Sequence, residues 1–142
     1  MSVTIRALDQ GDYAPWLALW NANNQGRIAA DITAATWQKL MHDDQVRGLV
    51  AQIDQQLIGL THYVLHPVTG HLNPVCYMQD VFVLPLFRRQ GVGRQLVEHL
   101  ADLGRAAGWA RLYWLAEAHN KEAQALYRTL GLKLDFTLHV LP

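Results

Sequence analysis

The stretch VLPLFRRQGVGRQLVEHL, residues 83–100, constrains the fold more than any other part of the chain. An apolar run, VCYMQDVFVL (75–84), stops at Pro85, and Arg88, Arg89 and Arg94 then surround Gly91 and Gly93. Val92, Leu96, Val97, Leu100 and Leu103 recur at steps of three and four, the spacing of an amphipathic helix, and Gly108 is its natural stop. Strand, glycine turn and helix start therefore follow one another directly. A helix start offers unpaired N–H groups and the positive end of the helix dipole. Glycine lets the backbone approach a ligand, and arginine adds fork-shaped donors. The expected ligand is an anion, and a pyrophosphate fits better than a carboxylate.

Two familiar phosphate loops do not fit. A P-loop needs Gly-Lys-Ser/Thr, but Gly93 is followed by Arg94 and Gln95. The dinucleotide fingerprint needs a third glycine where Leu96 stands, and this turn lies late in the chain rather than after a first strand. A domain binding NAD or ATP is accordingly a distant reading. The plain alternative is a solvated basic turn ahead of a helix.

The rest of the chain reads as alternating elements. VTIRAL (3–8) alternates as a strand does, and DYAPWLALWNAN (12–23) is helical, with Pro15 tolerated in the first turn. DITAATWQKLMHD (31–43) is a second helix, with Asp31 as N-cap and Ile32, Trp37, Leu40 and Met41 on a buried stripe. GLVAQI (48–53) and LIGLTHYVLH (57–66) are strands, PVTGHLNP (67–74) is a loop, ARLYWLA (110–116) a strand and NKEAQALYRTL (120–130) a helix. LKLDFTLHVL (132–141) alternates and predicts one or two final strands. The expected architecture is α/β, a mixed sheet flanked by helices in a single domain over 1–142, with a right-handed crossover if 75–84 and 110–116 are parallel.

Composition excludes some partners. Twelve basic residues balance twelve acidic ones, so no global charge steers the chain to nucleic acid or to an anionic membrane. Cys76 is the only cysteine, so no intrachain disulfide forms. With no secretory leader in MSVTIRALDQ and no apolar run near the length of a membrane span, a cytoplasmic location is expected.

RRQGVG (88–93) resembles the Arg/Gln-x-x-Gly-x-Gly/Ala motif of the GNAT acyltransferase superfamily, whose turn binds the pyrophosphate of acetyl-coenzyme A. MQDVFVLPLFRRQGVGRQLVEHL, ARLYW and NKEAQALYRTLGL follow in that family's order, so the resemblance covers about residues 75–133, the expected cofactor-binding core. The N-terminal half agrees in element order, and the motifs are most similar to the histone and polyamine acetyltransferase branch.

The resemblance implies site residues. Arg88, Arg89, Gln90, Gly91, Val92, Gly93 and Arg94 would hold the pyrophosphate. The strand bearing Phe82 and Val83 would splay from 110–116, letting its free backbone groups pair with the pantetheine amides. Asn120 would bind the pantetheine arm and Tyr127 would act as general acid on the departing thiolate. The two are seven residues apart and share a helix face. An ordinary N-cap for Asn120 and a half-buried aromatic for Tyr127 are the plainer readings.

Asp80 is the carboxylate within the apolar strand. Burial there would favour its protonated form and make it a candidate base, while pairing with an arginine or with backbone amides is the alternative. Polyamine acetyltransferases commonly carry Glu-Asp at this point; here Gln79 precedes Asp80, and an amide accepts no proton at neutral pH.

No metal is expected. His62 and His66 are about 13 Å apart along one strand, too far to share an ion, and His71 brings no carboxylate or cysteine with it. Trp16, Trp20 and Trp37 read as core, although the resemblance sets the first two helices beside the acceptor and draws attention to Trp20, Asn23, Asn24 and Arg27. The expected function is an N-acetyltransferase that passes the acetyl group of acetyl-coenzyme A to a primary amine of a small molecule or peptide in a ternary complex. The alternative is a non-catalytic acyl-coenzyme A sensor or interaction module. A homodimer is compatible with the resemblance, and no stretch of the sequence demands one.

Overall fold

The computed structural model describes residues 2–142. In chain order the elements are β1 (Thr4–Ala7), α1 (Tyr13–Asn24), α2 (Ala30–His42), β2 (Val46–Ile53), β3 (Gln56–His66), β4 (Val75–Val83), α3 (Val92–Ala107), β5 (Arg111–Trp114) and α4 (Lys121–Leu130). The sheet runs β1-β2-β3-β4-β5. Neighbours are antiparallel except β4 and β5, which are parallel and joined through α3. This is the mixed α/β sheet that the element order predicts.

Each face of the sheet carries its own core. On one side α3 covers Leu49, Ala51, Ile58, Cys76 and Met78 with Leu96, Val97 and Leu100. On the other, α1 and α2 bring Trp16, Leu19, Trp37 and Leu40 against Val50, Leu57, Leu60 and Phe82. A sheet covered on both faces explains why β2 and β3 read as nearly continuous apolar runs. The first turn of α1 is tied to β1, since Arg6 donates from Nη1 and Nη2 to the two carboxylate oxygens of Asp12, each at 2.8 Å. That bidentate bond holds the Asp12 carboxyl below its usual range.

Cys76 has no exposed surface, and burial pushes its thiol pKa up to about 12. A thiol reagent at pH 8 should leave the native protein unlabelled and titrate one thiol after unfolding. Rapid labelling of the folded protein would contradict this core.

Two bulges set the geometry used below. The β3–β4 register passes from Tyr63↔Met78 to His62↔Asp80, so Gln79 is an extra residue on β4. Met78 consequently packs on the α3 side while Phe82 packs on the α1/α2 side. Four residues apart in a regular strand, they would share a face. In β2–β3 the register passes from Ala51↔Gly59 to Gln52↔Leu57, making Ile58 the extra residue there.

Three expectations are corrected. Among the described residues, none after Leu130 is in a strand, so the strands expected over 132–141 are not formed. Leu132, Phe136, Leu138 and Val140 stand exposed. Their alternation is a true β signature, but a strand also needs a neighbour's backbone groups, and this segment pairs with none. On α2 the N-cap is Ala29 rather than Asp31, whose Oδ1 accepts from the adjacent Ile32 N–H at 2.9 Å. Ile32 is 54% exposed rather than on the buried stripe, because that stripe runs through Thr33, Trp37 and Leu40 and Ile32 lies about 100° around the helix from Thr33.

Candidate active site

β4 and β5 pair only from Val75↔Arg111 to Met78↔Trp114. From Gln79 to Val83, β4 keeps β3 on one edge and, among the described residues, has no strand on the other. The sheet thus opens at the bulge, the splay that the family resemblance implies for this pair. Gly59 lies directly behind the opening: a Cβ there would sit 2.9 Å from the Phe82 carbonyl oxygen. Only glycine lets β3 pass so close to this part of β4.

The turn 88–91 sits at the mouth of the opening. Gly91 is the N-cap of α3 with φ +82°, and a Cβ on it would meet no heavy atom within 4 Å. Arg89, with φ +62°, is a non-glycine residue in the left-handed region, a conformation that costs about 1 kcal/mol and that folds retain chiefly at functional turns. No side chain among the described residues caps α3, so its first amides are left without a side-chain acceptor, which suits an anion. Gly93 faces Leu126 of α4 and Val83 of β4, at 3.6 and 3.9 Å from a notional Cβ. Strand end, turn and α4 therefore converge.

The arginines divide their tasks. Arg89 is open to solvent and pairs, among the described residues, with Glu122 at 3.9 Å. Arg88 folds back: its Nε donates to the Val83 carbonyl at 2.8 Å and its guanidinium lies 5.5 Å over the Phe82 ring. Two residues expected to meet the ligand separately are thus bonded to each other. Arg94 points away from the turn, donating from Nη2 to Thr129 Oγ1 at 2.5 Å and pairing with Glu98 at 3.6 Å. It ties α3 to α4, as a residue one turn into a helix does when an acceptor lies on the facing helix. Gln90 Nε2 donates to the Leu86 carbonyl at 3.3 Å, and the Val92 side chain is buried in the α3-side core, leaving only its amide for a ligand.

On α4, Asn120 is the N-cap, its Oδ1 accepting from the Ala123 N–H at 3.1 Å. The plainer reading of Asn120 is therefore realised, and its Nδ2 stays available. Tyr127 packs against the α3-side core, its ring 5.4 Å from that of Trp114. Burial pushes the Tyr127 hydroxyl pKa above its usual value, so the phenol keeps its proton at neutral pH.

Asp80 differs most from expectation. Its side chain is 28% exposed, and its partner is neither arginine nor backbone amide but His62, whose Nδ1 lies 2.9 Å from Asp80 Oδ2. On its other side His62 Nε2 accepts from Trp16 Nε1–H at 3.0 Å. Thr61 hydroxyl donates to the Asp80 main-chain carbonyl at 2.7 Å, satisfying a group next to the bulge. Sequence reasoning weighed His62 only against a metal role, which it set aside, and read Trp16 as core. The missing signal was that His62 and Asp80 face each other across antiparallel strands. Of the α1–α2 residues, Trp20 stacks on Trp16 at 5.5 Å and donates to Thr33 Oγ1 at 2.8 Å. Asn24 Nδ2 is buried and has no partner among the described residues.

Residues 8–132 match the model of the acetyltransferase (GNAT) family. D-amino-acid N-acetyltransferase HPA3 of Saccharomyces cerevisiae is 29% identical over 143 residues, covering 96% of this chain and 89% of that protein. Thialysine N-epsilon-acetyltransferase of Caenorhabditis elegans is 33% identical over 98 residues, covering 69% of this chain and 61% of its own length. Among solved structures, AAC(6')-Iy in complex with a CoA-S-monomethyl-acetylneamine bisubstrate analogue superposes with a TM-score of 0.89 at 21% identity, covering 100% of this chain and 98% of the other. The chain therefore belongs to the GNAT acetyltransferase family and is an acyl-CoA-dependent N-acetyltransferase. No helix among the described residues is long and apolar enough to cross a membrane.

Proposed function

We propose that the protein transfers the acetyl group of acetyl-coenzyme A to a primary amine of a small molecule by direct attack in a ternary complex. The observation that carries this reading is the opening of β4 from β5 beyond Met78, with the uncapped start of α3 at its mouth. An extended arm fits along the free edge of β4 at Phe82 and Val83, and a pyrophosphate fits the amides from Gly91 to Arg94 with Arg89 beside them. Arg88 releases Val83 when the arm enters. Asn120 Nδ2 donates to the arm from α4.

In the reaction the neutral amine nitrogen forms a bond to the thioester carbonyl carbon and the carbon–sulfur bond breaks. Asp80 accepts the proton lost by the amine, directly or through a water, and Tyr127 gives its proton to the sulfur. Much of the rate comes from holding the two reactants together in a productive orientation. Gln79, at the bulge and exposed, cannot take the base's part. The names of the similar proteins, which specify a D-amino acid, thialysine and an aminoglycoside, all designate amine-bearing small molecules, and these classes are the first acceptors to try.

Calorimetric titration with acetyl-coenzyme A, with NAD and ATP as controls, tests the donor. We expect saturable binding of acetyl-coenzyme A alone, weakened in Gly91→Glu, where a carboxylate and a strained backbone meet the phosphates. Thiol release with an amine panel then reports transfer. Absence of acetyl-coenzyme A binding would overturn the reading, and binding without turnover on any amine would leave an acyl-coenzyme A sensor instead. A thiolate departs readily, its conjugate acid having a pKa of about 8.5. Tyr127→Phe should therefore lower kcat by roughly tenfold, less than general acids usually contribute, with binding unchanged. An unaltered kcat would remove Tyr127 from the chemistry.

A further inference from the structure

One hydrogen-bonded line crosses three elements. Trp16 on α1 donates to His62 Nε2 on β3, and His62 Nδ1 meets Asp80 Oδ2 on β4. An indole N–H can only donate, so Nε2 must supply its lone pair and the ring hydrogen resides on Nδ1, which donates to Asp80. Trp16 is held firmly in that role: it has no exposed surface, stacks on Trp20 at 5.5 Å and touches Trp37 at 5.0 Å. His62 itself is 5% exposed and uses both ring nitrogens.

We propose that His62, its tautomer fixed by Trp16, is a positioning residue that holds Asp80 Oδ2 and so turns Oδ1 toward the acceptor amine. The proposal rests on the reading of Asp80 as the base. Adjacent residues of β3 fix Asp80 twice, Thr61 at its main-chain carbonyl and His62 at its carboxylate. Among the described residues Oδ1 has no hydrogen-bond partner, and the side chain reaches solvent. A carboxylate with one oxygen anchored and the other free loses little orientational freedom when the amine arrives. The anchor starts on α1, so the packing of the first helix bears on the placement of the base.

Thiol-release kinetics in a double-mutant cycle test this. His62→Phe should lower kcat by about tenfold, with the affinity for acetyl-coenzyme A unchanged. In an Asp80→Asn background the same change should alter kcat by less than about twofold, because His62 acts through Asp80. His62→Asn, whose amide N–H overlays Nδ1–H, should recover most of the loss. In the wild-type protein the imidazole 15N spectrum should show a bare Nε2 and a protonated Nδ1, and Trp16→Phe should release that tautomer. Equal losses in both backgrounds, or the opposite tautomer in the wild type, would overturn the proposal. An unimpaired Asp80→Asn enzyme would remove the base, and this proposal with it. A silent His62→Phe in an enzyme that Asp80→Asn does disable would remove the role of His62 alone.

Discussion

Asp80→Asn should lower kcat/KM by roughly 10²–10³-fold, the range of a lost general base, while acetyl-coenzyme A binds as before. The substitution keeps the shape of the side chain, and the amide oxygen can still accept from His62 Nδ1–H, now 2.9 Å from Oδ2. The β3–β4 register and the Thr61 bond to the Asp80 main chain are untouched. What disappears is the capacity to take a proton from the amine. Neighbouring Gln79 offers no replacement, and no second carboxylate lies on this strand. Steady-state thiol release, combined with calorimetry of donor binding, separates the two effects. A rate within about twofold of the wild type would assign the proton to water alone.

Leu96→Ala should cost about 3 kcal/mol of stability, the usual penalty for truncating a leucine whose site cannot collapse. Leu96 has no exposed surface and its Cδ1 lies 3.5 Å from the position a Cβ on Gly59 would take. It therefore fills the space beneath the stretch where β3 and β4 approach most closely. The paired strands, packed on their other face against α1 and α2, resist moving into the vacated space, so the cavity persists. Urea unfolding should show a lower midpoint with the slope unchanged. A loss under about 1 kcal/mol would mean that α3 repacks freely over the sheet.

The parts legible in the sequence were those whose signal is local. Val92, Leu96, Val97 and Leu100 announce α3 because helical spacing needs no knowledge of neighbours, and all four are buried. Gly91 was legible for a similar reason: a left-handed N-cap is a demand of the backbone itself. The opposite holds for Asp80. Its partner is set by the register of two strands, and that register depends on a bulge which leaves no mark in composition. Arg88 and Arg94 were legible as cations near a turn, but their side-chain directions depend on Val83 and Thr129, which only the assembled fold brings near. The segment 132–141 shows the converse error, where a correct local pattern finds no strand to pair with.

The extra residue at Gln79 works as a frame setter. Side chains along a strand alternate between faces, so a single added position reverses the parity of everything that follows it up to the turn. Exposed as it is, Gln79 offers a tolerant place for substitution. The bulge itself is another matter: were the strand to run regularly through Gln79, Val81 and Val83 would turn toward the tryptophans while Asp80 and Phe82 would swing to the face of Met78, under α3. The kink that absorbs this residue, more than the identity of its side chain, keeps the carboxylate on the side of the sheet where His62 waits.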